Sequence, residues 1–221
     1  MENMFIKKFL NIGAALGSVI VIICIAVSIT ILARPLYYFD INYLGIPEKT
    51  GISAEACKLN YDVLIDYNLI GGSDELVFPT LRMSEEGRIH FEEVRNIFIP
   101  MQVISIAGVI LLLIWIAFFK KKNNNLYYYL WMKYTAIFSG VAALTFCISM
   151  AIDWEWSFTT MHNILFDNDY WIFNPYTDPV IRILPETFFC HCGLMIVLLV
   201  LLQVMIIFFV YRRLKHGRHK F

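Results

Sequence analysis

Apolar residues along this chain gather into four long runs, Phe9 to Ala33, Pro100 to Phe119, Leu126 to Ile152 and Phe188 to Tyr211. About 20 helical residues cross a hydrocarbon core about 30 Å thick. The pattern therefore predicts an all-α integral membrane protein: a single membrane domain over 1–221 with four transmembrane helices. The polar stretches 34–99 and 153–187 between them carry shorter amphipathic helices. Ser53 is placed to cap a helix ending before Gly71-Gly72, with Ala56, Leu59, Val63 and Tyr67 at helical spacing and the Asn60-Tyr61 pair as a solvated edge. Ser84 caps a second helix running to about Phe98. Ile99-Pro100 marks its join to the second span, because proline disfavours helical geometry in the residue before it. Thr177 or Asp178 before Pro179 starts a short helix that Pro185 divides from the fourth span.

Composition supports the class and charge adds an orientation. Hydrophobic residues are 59% and charged ones 16% of the 221 residues, and mean hydropathy is +0.63, far outside the soluble range. The formal net charge of zero hides an asymmetry. Eleven of the 18 lysines and arginines precede the first span (Lys7, Lys8), fill the Lys120-Lys121-Lys122 turn or lie just inside the third span (Lys133), or follow the fourth span (Arg212, Arg213, Lys215, Arg218, Lys220), with one of the 18 acids, Glu2. The two long loops hold the other 7 bases and 17 acids. By the positive-inside rule both termini are cytoplasmic and both long loops are extracytoplasmic. Acidic outer loops argue against nucleic acid as a partner, and the basic tail faces anionic headgroups. The first apolar run exceeds a signal-peptide core and lacks a small-x-small cleavage site before Arg34, so it reads as a retained anchor. Tyr37, Tyr38, Phe39 and Tyr43 on the outer side, and Tyr127, Tyr128, Tyr129 and Trp131 on the inner, read as interfacial aromatic belts.

The candidate chemistry is concentrated in Ser84 to Arg95, SEEGRIHFEEVR. His90, Glu93, Val94 and Ile97 share one helical face, while Arg88 and Arg95 lie seven apart on another. The plain alternative is an interfacial helix with its charges in water. The second outer loop supplies His162, with Asn163, Asp167, Asn168 and Asp169 nearby and Trp154, Trp156, Tyr170 and Trp171 around them as a lipid-facing wedge. Asp178 and Arg182 are four apart and fit a mutual pair or a substrate contact. Spans two and three carry no ionisable residue deep in their apolar runs, which argues against a transporter or channel. The five cysteines give no disulfide framework, and Cys190-His191-Cys192 cannot close on one ion from a regular helix. No metal is assigned.

Three segments resemble one family. HFEEVR from His90, MHNILFDNDYW around His162 and DPVIRILPETFF from Asp178 look like the signatures of Lit, the lipoprotein intramolecular transacylase family of Gram-positive bacteria. The resemblance covers essentially the whole chain. Family members usually have Asp and Lys where Glu93 and Arg95 stand. It implies transfer of the sn-2 acyl chain of a diacylglyceryl-modified lipoprotein to the α-amino group of its N-terminal cysteine, giving the lyso form, with no cofactor. Lipoproteins and membrane lipids are the implied partners. On this reading His90, oriented by Glu93, is the general base and His162 the acid or oxyanion donor, or the reverse. Arg95, Arg182, Asn163, Asn168, Asp169 and Asp178 are the candidates for substrate or oxyanion contacts.

Two rivals stand beside it. A zinc-dependent lipid hydrolase would use His90, Glu93, His162 and Asp169 as ligands. A non-enzymatic membrane interaction protein would use the outer loops as a docking surface and tolerate loss of both histidines.

Overall fold

A computed structural model describes residues 2–119 and 129–216. Among them the secondary structure is helical throughout: α1 (Glu2–Leu32), α2 (Arg34–Tyr43), α3 (Ile46–Thr50), α4 (Ala54–Tyr67), α5 (Glu85–Phe119), α6 (Leu130–Ile152), α7 (Trp154–Leu165), α8 (Val180–Ile183) and α9 (Glu186–His216). Four of these, α1, α5, α6 and α9, are long and apolar enough to cross a membrane. The protein is an all-α integral membrane protein. The Lys120 to Lys122 turn, Leu126, Tyr127 and Tyr128, and the tail residues Arg218 and Lys220 lie outside the described residues.

The chain forms two compact units. One comprises Met1–Val27, Val103–Ile148 and Met195–Phe221. Between helices in lipid the hydrophobic effect contributes little, so close approach of small residues has to hold such a bundle. Ile22, Ala26, Ala143 and Val200 make its buried centre, with Ile196, Leu199, Val204 and Ile207 against them. Gly108 leaves no room for a Cβ, which would meet Val21 Cγ1 at 2.3 Å. Gln203 donates to the Ile22 carbonyl at 3.2 Å, and Asn11 accepts from the Trp131 amide at 2.8 Å. Tyr129 departs from its expected place in an aromatic belt: it is 2% exposed, in a cluster with Met132 and Tyr211.

The other unit, Ser28–Gln102 and Ser149–Leu194, carries the candidate chemistry. The chain turns at Ala33, and α2 starts at Arg34 with Pro35 in its first turn, where a missing amide costs nothing. Gly45 and Gly51 take left-handed φ of 61° and 71° around the single turn of α3, where only glycine is free of strain. Ser53 caps α4 by accepting from the Ala56 amide at 3.2 Å. The face of α4 that packs is not the one its apolar spacing indicates. Cys57, Asn60, Tyr61 and Leu64 are buried, whereas Leu59 is 49% exposed. Asn60 is no solvated edge: it donates to the Ala56 carbonyl and the Thr80 hydroxyl and accepts from the Thr80 amide, which pins the 68–84 connection onto α4. Tyr37, expected at a lipid interface, is fully buried, stacks on Tyr61 at 3.9 Å and donates to the Ile183 carbonyl at 2.8 Å.

Helix α5 corrects one boundary. Pro100 lies inside a continuous helix of 35 residues rather than at a join between two. Such a helix is about 52 Å long at a 1.5 Å rise per residue, and a hydrocarbon core takes up only about 30 Å. The apolar portion beginning near Ile97 therefore continues without a break from the polar segment bearing His90 and Glu93.

Candidate active site

The site is built from α5, α7 and the loop after α7. Ser84 caps α5 as expected, its hydroxyl accepting from the Gly87 amide at 3.0 Å. His90, one and a half turns on, is 5% exposed among Phe91, Phe166 and Phe173. Helix α7, where sequence pattern shows only a tryptophan-rich loop, starts on Asp153, whose carboxylate accepts from the Trp156 amide at 2.9 Å. It carries His162, 9% exposed, between Phe158, Phe166 and Trp171. The two imidazoles, 72 positions apart in sequence, sit with ring centroids 6.2 Å apart and planes inclined by 32°.

Hydrogen bonding fixes one ring. His162 Nδ1 lies 2.8 Å from the Phe158 carbonyl, which can only accept, so Nδ1 carries the proton. In the neutral ring Nε2 is then a lone-pair base. Burial among aromatic rings pulls the His162 pKa below the usual imidazole range, while the bond to Phe158 opposes the shift. His90 Nδ1 is buried with no hydrogen-bond partner. A buried polar atom without a partner costs about 1–3 kcal/mol, so it calls for an explanation.

Glu93 does not orient His90. Its Oε1 accepts from Asn168 Nδ2 at 2.7 Å, and Oε2 is buried without a partner. The other polar candidates disperse. Asn163 is exposed. Asp169, also exposed, lines a shallow cavity of about 260 Å³ with Ser84, Glu86 and Asp178. Arg182 does not pair with Asp178 but donates to the Thr50 carbonyl at 2.6 Å. Asp178, which precedes α8 rather than lying on it, is 2% exposed and accepts from the Ser84 amide and the Thr177 hydroxyl, each at 2.7 Å. It ties the second loop to the start of α5. Arg95 faces a different groove, over the Tyr67 ring at 4.7 Å.

Trp171 is the group that sequence pattern gave to lipid and the structure gives to the site. Its ring lies 4.7 Å from that of His162, and its Nε1–H is buried without an acceptor. Nothing in the spacing of Trp171 from His162 separates it from the other loop tryptophans. Among the described residues no three His, Cys, Asp or Glu side chains gather closely enough to hold an ion. His90, Glu93, His162 and Asp169 thus do not form the ligand set that the zinc hydrolase needs. His191, of the Cys190-His191-Cys192 triplet, turns to the buried Asp40 carboxylate, 2.9 Å from both oxygens.

Four apolar helices make this an integral membrane protein, and a buried histidine pair in an aromatic pocket sets two imidazoles side by side. The model of the family named lipoprotein intramolecular transacylase Lit matches residues 12–189. The membrane integral lipoprotein intramolecular transacylase Lit from Bacillus cereus is similar in structure, with 32% sequence identity over 97% of this chain and 98% of that chain and a TM-score of 0.87. Two further structures of the Bacillus cereus enzyme, one with a histidine changed to arginine and one to alanine, each share 32% identity. Their TM-scores are both 0.81, over 99% and 98% of this chain and 97% of each of theirs. No curated protein matches the chain. The chain belongs to the lipoprotein intramolecular transacylase family and is an acyltransferase.

Proposed function

We propose that the protein moves the sn-2 acyl chain of a diacylglyceryl-modified lipoprotein onto the α-amino group of the same molecule's N-terminal cysteine. One N–C bond forms, one ester C–O bond breaks, and the proton lost by nitrogen ends on the glycerol oxygen. Water and carrier play no part. Nucleophile and ester share one substrate, so holding them together supplies much of the acceleration, as effective molarities for well-oriented groups show.

The observation that carries this reading is the approach of His90 and His162 in a buried aromatic pocket, with the tautomer of His162 fixed. His162 Nε2 takes the proton lost by the attacking amine and returns it to the departing glycerol oxygen, and His90, kept neutral by burial and by His162 beside it, hydrogen-bonds that oxygen through a ring N–H. Glu93, held by Asn168, offers its free Oε2 to the incoming α-ammonium. The Trp171 N–H donates to the oxyanion. Asn168 serves through Glu93, and Asp178 through the position of α5; these are positioning residues. We place both termini in the cytoplasm and the histidine pair on the extracytoplasmic side, which the lysine and arginine distribution supports. The four spans and two loops act as one membrane domain.

The test is mass spectrometry of N-terminal lipopeptides from cells with and without the protein. N-acyl, mono-O-acyl cysteine is expected with it, and is lost in His90→Ala and His162→Ala at equal protein level. Diacylglyceryl peptides unchanged by expression of the protein would sink the reading.

A further inference from the structure

A second cavity lies away from the histidine pair, along the opposite side of α5. It is an open groove of about 620 Å³ bounded by Tyr67, Ile70, Gly71, Leu76, Asn96, Ile99 and Pro100, with Arg88, Arg95, Asp74, Glu75 and Glu92 as its charged lining. The size lies within the usual range of small-molecule sites. Its cations are not equivalent. Arg88 is engaged by Glu85 at 2.6 Å and by Glu92 at 3.1 Å. Arg95, whose side chain is only 20% exposed, has one long hydrogen bond, to the Gly72 carbonyl at 3.4 Å, and stands 3.9 Å from Asp74. A guanidinium presents five N–H donors in a rigid fork that suits phosphate. Most of those of Arg95 are uncommitted, and the Tyr67 ring holds the group at 4.7 Å.

The groove is also graded along α5. Arg88, Glu92, Arg95 and Asn96 line its polar end, and Ile99 and Pro100 its apolar end, where the uncharged apolar run of the helix begins. An anion with an attached tail fits that gradient. The acids select further: Asp74 and Glu75 are exposed on the rim beside Arg95, so a ligand carrying a cation a few ångströms beyond its anion is favoured over a net anion. We infer that this groove binds the headgroup of a zwitterionic glycerophospholipid, its phosphate on Arg95 and its ammonium on Asp74 and Glu75. The inference does not rest on the acyl-transfer chemistry of the histidine pair.

The test uses the purified full chain in detergent, titrated with phosphatidylethanolamine or with phosphatidylglycerol of identical acyl chains, bound lipid being counted by native mass spectrometry. Phosphatidylethanolamine should half-saturate at a concentration about fivefold or more below phosphatidylglycerol. Arg95→Gln should weaken it about tenfold, as loss of charge-assisted bonds predicts. Asp74→Asn with Glu75→Gln, both on the exposed rim and harmless to folding, should erase the preference while sparing phosphatidylglycerol. Equal binding of the two lipids, or undiminished binding by Arg95→Gln with an unchanged unfolding midpoint, overturns the proposal. So does displacement of bound lipid by a diacylglyceryl lipopeptide but not by phosphatidylethanolamine, since the groove would then seat the lipoprotein.

Discussion

Asp178→Ala should loosen the start of α5 before it touches the chemistry. The carboxylate is 2% exposed and pairs with no cation among the described residues; it is satisfied by the Ser84 amide and the Thr177 hydroxyl, each at 2.7 Å. A hydrogen bond to a charged group contributes about 1.5–3 kcal/mol, and a carboxylate at a helix N-terminus about 0.3–1 kcal/mol more. Removing it leaves the Ser84 amide without its acceptor, for a total loss of about 2–4 kcal/mol. At about 2–4 °C per kcal/mol for a chain of this size, the thermal midpoint in detergent falls by about 5–15 °C. Asp178→Asn keeps an acceptor for the amide and should lose only about a third of that.

Gly87→Ala attacks the same contact from the helix side, because a Cβ there would lie 2.3 Å from Asp178 Oδ1 and 3.3 Å from the Phe173 ring. The two lesions share one cause, so the double variant should lose about 1 kcal/mol less than the sum of the singles. Midpoints of the three variants and single-turnover rates well below the midpoint are the measurements. An Asp178→Asn protein with an unchanged midpoint and no turnover would refute the reasoning, for it would mean that Asp178 touches substrate.

Two further outcomes follow from the site. Burial lowers the His162 pKa below its unfolded value, so its stabilising contribution is complete above about pH 6.5. That contribution is lost as pH falls through the folded value; His162→Gln should therefore flatten the fall in thermal midpoint between neutral and acid pH, and an unaltered slope counts against a neutral buried ring. Trp171→Phe keeps an aromatic ring against His162 but removes the buried N–H, so kcat should fall about 10²–10³-fold with little change in KM; wild-type kcat would show that the N–H has no part in stabilising the oxyanion.

The membrane architecture was legible because lipid enforces a simple rule: backbone groups must be satisfied within the segment, and apolar runs of sufficient length announce the helices. All four runs became helices long enough to cross. What hydropathy does not report is where one helix ends and another starts once the chain leaves the hydrocarbon. Pro100 looked like a boundary because its ring and missing amide weaken one turn. The turn survives within a continuous helix of 35 residues, and Gln102 gives it a further hold by donating to the Asn68 carbonyl at 2.8 Å. The face of α4 misled for a related reason. Asn60 and Tyr61 fall off the face marked by Ala56, Leu59, Val63 and Tyr67, yet Asn60 is satisfied by Thr80 and Tyr61 stacks on Tyr37, so both are buried.

The same distinction decides Glu93. Three residues from His90 on one helical face, it looked like that ring's orienting group, and spacing alone offered no other partner. Sharing a face only makes contact possible, because a glutamate at that position can reach along its own helix or out toward a neighbouring element. The partner that takes it, Asn168, lies 75 residues further on and is brought in by the loop after α7. His162 is oriented instead by a backbone carbonyl one turn earlier on its own helix, a local bond that a sequence can suggest only once α7 is known to be a helix. With Asn168 on one oxygen, Glu93 keeps the other for a cation, and His90 keeps an open Nδ1 beside a base of fixed tautomer. The contact that fails to form between His90 and Glu93 is thus what leaves both groups free for the α-ammonium and the departing alkoxide of the proposed transfer.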